Sequence, residues 1–242
     1  MIVTRRQKIT IAVLVVYWIA LAIFAHMPIP ELVYQAKVSD KWLHFLAYLN
    51  LIFLTWFSIR PDGKVRWRNK AAWLVFFGII VYGGIDEFIQ PYLGRTKDLM
   101  DFLANAGGAA AGLIIFSFLT FWPSFLTVLA ISIFGAATLI HADFSKVAPI
   151  LDAVYHVLAY AVFTLVWAQL IPPRTRISRL LLIISLPLGL MLFVKASSML
   201  MGRYFTTMEM LFSGGAIIAA AIIATCLSVR KRYQGPFLAK GL

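Results

Sequence analysis

The sequence predicts an all-α fold, a polytopic transmembrane helix bundle of about eight spans arranged as two parallel four-span repeats. Three observations carry that expectation. Of the 242 residues 62% are apolar and only 13% charged, and the mean hydropathy is +0.87, where a soluble domain is about half apolar and a quarter charged. Apolar stretches long enough to cross a hydrocarbon core of about 30 Å recur along the whole chain. A polar motif near the start of one stretch reappears in the second half of the sequence.

The spans are drawn at about 9–27, 41–59, 71–90, 100–122, 124–140, 151–171, 179–200 and 208–229. Arg5, Arg6 and Lys8 before the first run resemble a signal peptide, but the run from Ile9 to Ala25 is long for one and reads as a retained span. The fourth and fifth spans are parted at Trp122-Pro123-Ser124, because proline cannot continue the donor ladder of a helix. The single cysteine, Cys226, excludes an intramolecular disulfide and any cysteine metal site.

Charge placement sets the orientation. Fifteen of the 22 Lys and Arg residues fall at the N-terminus, in the 60–70 and 172–179 loops and in the C-terminal tail, while of the ten carboxylates only Asp62 lies on that side. Basic loops stay in the cytoplasm, so both termini are expected there. The net charge of +12 then records topology and contact with anionic headgroups rather than nucleic-acid binding.

The repeat gives the second half its meaning. Asp40, His44, Ala47 and Tyr48 recur 112 residues later as Asp152, His156, Ala159 and Tyr160. Gly94, Arg95, Asp101, Asn105 and Gly107 recur at an offset of 108 as Gly202, Arg203, Glu209, Ser213 and Gly215. The expected division is therefore a first four-span repeat over 1–122 and a degenerate second one, with a basic tail, over 123–242. An even number of spans per repeat makes the halves parallel, related by an axis along the membrane normal.

The residues able to carry chemistry gather at the extracytoplasmic ends of the spans. Asp40, His44 and Tyr48 follow at i, i+4, i+8 and form one stripe of a helix. Asp86, Glu87 and Gln90 end the third span; Arg95, Lys97 and Asp98 lie in the next loop; Asp101 and Asn105 open the fourth. Gly108 and Gly112 continue that last face as a small-xxx-small pattern that allows close helix approach. His44, Glu87 and Asp40 are the candidates for acid–base work. An imidazole one turn from a carboxylate can be held in one tautomer, and a membrane carboxylate is costly to keep without a role. Tyr48, Gln90, Arg95, Asp98, Asp101 and Asn105 are candidates for substrate binding, with His156 and Lys195 from the second half. Arg95 matches phosphate oxygens in a two-point geometry.

The run Asp40-x3-His44-x3-Tyr48, Glu87-Phe88-x-Gln90, Gly94-Arg95, Asp98, Asp101 and Asn105-x-x-Gly108 resembles the VanZ-like family of bacterial membrane proteins, over about residues 9–120 directly and 124–229 as an echo. The echo departs from the pattern at Lys195, Ser198 and Ser213, which stand for Glu87, Gln90 and Asn105. The resemblance implies a multi-pass protein of the bacterial cytoplasmic membrane associated with the cell envelope. Its name-giving member confers resistance to the glycopeptide teicoplanin.

Blander readings stand beside these. Ser39 or Asp40 can cap the second span; His44 can be an interhelical hydrogen bonder; Arg95 can snorkel and be neutralised by Asp98 or Asp101. Glu87 can pair with Lys195, which the repeat puts at the same depth. The leading functional expectation is binding of membrane lipid, in particular the phosphate or headgroup of a lipid-linked envelope component. An enzyme acting on a lipid phosphate or glycolipid, a lipid transporter and a scaffold are the alternatives. No cofactor or metal ion is expected, since the sequence has no phosphate-cradling glycine loop, His-Glu-x-x-His signature or nucleophile elbow; zinc held by His44 and nearby carboxylates stays open, though His26, His44, His141 and His156 are the chain's four histidines. No nucleic-acid partner is expected, and no oligomeric state follows. In a Cys226→Ser background, single cysteines at Lys64 and Arg176 are expected to label with membrane-impermeant maleimide only after the cytoplasmic face is opened, and one at Lys37 in intact cells. The reverse pattern would invert the orientation.

Overall fold

The computed structural model describes residues 3–26, 39–93, 98–139, 149–172, 175–202 and 206–238. Among them the chain is all-helical, and eight helices are long and apolar enough to cross a membrane. They are α1 (Arg5–His26), α2 (Asp40–Ile59), α3 (Lys70–Ile89), α4 (Leu99–Phe118), α5 (Phe121–Phe134, whose span runs on to Thr138), α6 (Pro149–Leu170), α7 (Arg176–Leu200) and α8 (Thr207–Leu238). A 3-10 turn, Gln90–Leu93, closes α3, and a π-helical turn, Gly135–Leu139, extends α5.

Local chemistry explains the ends. Asn69 caps α3 by accepting from the Ala71 amide at 3.0 Å, and Asp98 caps α4 by accepting from the Met100 amide at 2.8 Å. Each satisfies one amide that the first helical turn leaves without a partner. Ser39, one of the two residues the sequence offered as a cap for α2, makes no such bond. The break between α4 and α5 also differs from the expected one at Trp122-Pro123-Ser124. It lies earlier, at the extended Leu119 and Thr120, and Pro123 sits in the first turn of α5, where its missing N–H has no carbonyl to serve.

Contacts divide the chain into two compact units, Met1–Asp143 and Phe144–Leu242. The expected repeat boundary at residue 122 falls at the start of α5. In the first unit α2 is the hub, packing on α1, α3, α4 and α5, with α4 its most extensive partner. Its buried face carries Leu49, Ile52, Phe53, Trp56 and Phe57, set against Ala109, Leu113 and Phe116 of α4.

The α2–α4 seam depends on glycine. A Cβ on Gly108 would run into the Phe45 carbonyl oxygen and stand 3.0 Å from the Leu49 amide nitrogen; one on Gly112 would collide with Ile52. Apolar side chains gain little from leaving lipid for protein, so such backbone approach and the dispersion contacts it permits are what join the helices. The small-xxx-small pattern read from the sequence thus faces α2.

The Ile59 end of α2 is closed by polar ties. Arg6 pairs with Asp62 and donates to the Pro61 carbonyl at 2.9 Å, while its guanidinium lies 4.6 Å from the Phe121 ring centroid. Gln7 donates to the Ser58 carbonyl at 2.8 Å, and Trp56 Nε1 to that of Gly63 at 2.8 Å. The start of α1 and the basic loop after α2 therefore share one end of this unit. Asp40 begins α2 at the other, about 28 Å away at 1.5 Å per residue.

In the second unit α8 packs on α6 and α7 around Ala168, Ile171, Ile183, Ala221 and Ala224. Gly108→Ala is expected to destabilise the protein by about 1–3 kcal/mol, the range for overpacking a tight contact. Gly78→Ala and Gly189→Ala, where a Cβ meets nothing within 4 Å, are expected to be neutral or slightly stabilising. Thermal unfolding in detergent compares the three variants.

Candidate functional site

At the Asp40 end of the first unit, polar residues from four helices converge. α2 contributes Asp40, Lys41, His44 and Tyr48 from its first turns. α4 contributes Asp101 and Asn105, placed one turn apart and above Gly108, so the glycine seam that draws the backbones together also brings Asn105 to His44. α3 ends here with Asp86, Glu87 and Gln90, and α1 ends with His26.

His44 is the centre. Its Nδ1 lies 2.9 Å from Asn105 Oδ1; an amide oxygen only accepts, so Nδ1 is the donor of this pair. Nε2 is 3.7 Å from Asp40 Oδ1, and Nδ1 is 3.9 Å from Glu87 Oε1. Glu87 in turn accepts from Gln90 Nε2 at 3.1 Å. His44, Glu87, Gln90, Asp101 and Asn105 are all buried, with Glu87 2% exposed. Buried polar side chains in a bundle of this composition need partners, because lipid offers none.

Lys41 forms the outer edge of the cluster. Its ammonium bonds Asp98 Oδ2 at 2.6 Å and lies 3.4 Å from Asp101 Oδ1. The Lys41 ammonium, with the Met100 amide, holds the Asp98 carboxyl below the usual carboxylate range. Asp98 is thus a cap and a salt-bridge partner. A further pair joins α1 to α3, His26 Nε2 lying 3.5 Å from Asp86 Oδ1. The Tyr48 hydroxyl and Asn105 Nδ2 are buried without a hydrogen-bond partner among the described residues. Tyr48 packs where a Cβ on Gly83 would stand 3.3 Å from its hydroxyl.

The second unit holds a related arrangement. His156 Nδ1 lies 3.3 Å from Ser213 Oγ, and its Nε2 is 3.8 Å from Asp152 Oδ1 and 4.0 Å from Glu209 Oε2. His156 is 4% and Glu209 7% exposed. Lys195 is occupied within this unit, its Nζ lying 2.7 Å from Met210 Sδ. Glu87, in the first unit, has Gln90 and His44 beside it.

Of the residues expected from the sequence, Asp40, His44, Tyr48, Glu87, Gln90, Asp98, Asp101 and Asn105 come together in the first unit, and His156 and Lys195 lie in the second. Arg95, with Lys97, lies outside the described residues. Sequence reasoning did not single out Lys41, and it missed the His26–Asp86 pair, whose separation of 60 positions leaves no periodic signal. Asp152 and Glu209 were visible only as echoes of Asp40 and Asp101. Removing the acceptor with Asn105→Ala is expected to cost about 1–3 kcal/mol, because it strands the buried His44 N–H; Asn105→Asp, which keeps an oxygen at that place, is expected to cost less. Denaturation of the purified variants orders them. No family model, curated protein or solved structure matches this chain.

Proposed function

We propose that this chain is a VanZ-like integral membrane protein of the bacterial cytoplasmic membrane, with both termini cytoplasmic and its Asp40 end facing outward. There the polar cluster of the first unit binds the phosphate or headgroup of a lipid-linked envelope component. A link to glycopeptide resistance, as for teicoplanin, belongs to the same reading. The observation that carries it is the convergence of His44, Glu87 and Asn105 from three helices onto one buried point, with His44 Nδ1 2.9 Å from Asn105 and 3.9 Å from Glu87. Such groups are retained in a membrane bundle where they meet a polar ligand, or one another, in place of water. Lys41 and, from the sequence, Arg95 and Lys97 offer the positive charge that a phosphate needs.

The internal repeat belongs to this proposal. The two halves are related as parallel four-span repeats, and the second carries a weakened copy of the cluster. An enzymatic version is favoured by one observation: His44 has its tautomer fixed by Asn105 and a carboxylate on either side. That arrangement suits a proton shuttle acting on a phosphate or glycosidic oxygen of the same lipid.

Lipid mass spectrometry of the protein purified in native nanodiscs, with polyprenyl phosphate as the titrated probe, tests the reading. A phosphate-bearing lipid is expected to co-purify, and Arg95→Ala to weaken the probe by about 10–100-fold, the scale of a charge-assisted two-point bond. Unchanged probe affinity in Arg95→Ala, or no preference for the phosphate over the free alcohol, would count against it.

A further inference from the structure

The two histidine clusters share a spacing. His44 Nε2 stands 3.7 Å from Asp40, and His156 Nε2 stands 3.8 Å from Asp152 and 4.0 Å from Glu209. These separations are too long for direct hydrogen bonds. They fall in ion-pair range and are also separations that a shared cation produces: with bonds of about 2.0–2.2 Å, ligand atoms stand about 3–4.4 Å apart, depending on the angle between them. One ligand atom each from Asp40, His44 and Asp101 lies within 4.8 Å of the other two, and the same holds for Asp152, His156 and Glu209.

We infer that each trio is a binding site for a divalent transition-metal ion of the zinc or manganese kind, held by His44 Nε2 with Asp40 and Asp101, and by His156 Nε2 with Asp152 and Glu209. Three independent features point the same way. The first is the unused nitrogen: His44 is 8% exposed, its Nδ1 is engaged by Asn105, and its Nε2 makes no hydrogen bond among the described residues while facing the Asp40 carboxylate. A metal-bound histidine has this arrangement, one nitrogen on the ion and the other donating to a neighbour that fixes the tautomer. The second is recurrence. Ser213 stands at Nδ1 of His156 as Asn105 does at His44, and Glu209 replaces Asp101, so the donor set survives although the residues are not identical. Lys195 and Ser198, by contrast, do not preserve Glu87 and Gln90.

The third feature is charge. Two carboxylates and a neutral imidazole cancel a dication, which removes most of the cost of burying like charges together. Mixed nitrogen and oxygen donors suit zinc or manganese, whereas magnesium and calcium take oxygen alone. Three protein ligands also leave a coordination position free for water or an incoming oxygen. The two sites are unequal. Lys41 reaches Asp101 at 3.4 Å, so an ion at the first site must displace that ammonium, which keeps Asp98. Position 153, which corresponds to Lys41, is alanine, and no lysine is seen at the second trio among the described residues. The inference does not depend on the lipid reading; it would, however, explain how a phosphate is accepted by a wall rich in carboxylates.

The test is metal retention by the full-length purified chain, stripped with chelator, reloaded separately with Zn2+ and Mn2+, and desalted before elemental analysis. About two ions per chain are expected for the native sequence. His44→Ala and His156→Ala each remove one, the pair removes both, and His26→Ala, outside the trios, removes none. Asp101→Asn and Glu209→Gln, which keep side-chain volume, provide the same comparison where a histidine variant fails to fold. Co2+ loading adds a visible absorption that needs no variant. Asn105→Ala is expected to weaken the first site by about 10–100-fold without abolishing it, as loss of a partner behind a metal ligand does. One ion lost with one histidine alone would establish that trio and overturn the other. Fewer than about 0.1 ion per chain, at ligand distances that should hold one, or retention that survives loss of both histidines, would overturn both.

Discussion

The arrangement of the first unit depends on how closely α2 and α4 run at Gly108. A residue with a side chain at that position would meet the Phe45 carbonyl, and Phe45 is the immediate neighbour of His44. One turn up α4 from Gly108 is Asn105, which bonds His44 at 2.9 Å. The absence of a Cβ and the presence of a polar pair are therefore one design. The glycine brings the backbones together, and the closeness lets an amide oxygen reach an imidazole across the seam. In lipid, where no hydrophobic force presses helices against each other, van der Waals fit and a satisfied polar pair are the available adhesives.

The unit is polar at both ends in different ways. At the Ile59 end Arg6 pairs with Asp62 and Gln7 with the Ser58 carbonyl. At the Asp40 end His44, Asp86, Glu87, Asp101 and Asn105 are buried, and carboxylates outnumber ammonium groups among the described residues. That contrast, rather than the number of polar residues, is why chemistry is assigned to one end. The same physical logic makes a cation a better occupant of the trios than an anion, and gives Lys41 its place as the one ammonium that touches the edge of the cluster among the described residues.

Much of this was legible in the sequence, for reasons that can be stated. Helices of membrane length follow from uninterrupted apolar composition, and the face of α4 that meets α2 follows from Gly108 and Gly112 at helical spacing. Asp40 and His44 are one turn apart on any helix, so their proximity needed no structure. Contacts between helices distant in sequence were not legible. Nothing in the spacing announces that His26 meets Asp86, that Lys41 bridges toward Asp98 and Asp101, or that Asn105 rather than a carboxylate takes Nδ1 of His44. Local signals also misplaced one boundary and one cap. Pro123 reads as a breaker, yet a first helical turn accommodates it, so the chain turns earlier, at Leu119 and Thr120. Ser39 reads as a cap but makes no capping bond.

The claim on which the site rests is that Asn105 fixes the tautomer of His44 and leaves Nε2 free toward Asp40. Nitrogen-15 solid-state NMR of histidine-labelled protein in lipid bilayers, with His44 assigned by comparison with His44→Gln, observes that state directly. The account predicts a protonated Nδ1 coupled to the Asn105 side chain and an unprotonated Nε2 that shifts when Zn2+ is added. A protonated Nε2 with a bare Nδ1, or a ring averaging between tautomers with no contact to Asn105, would contradict it.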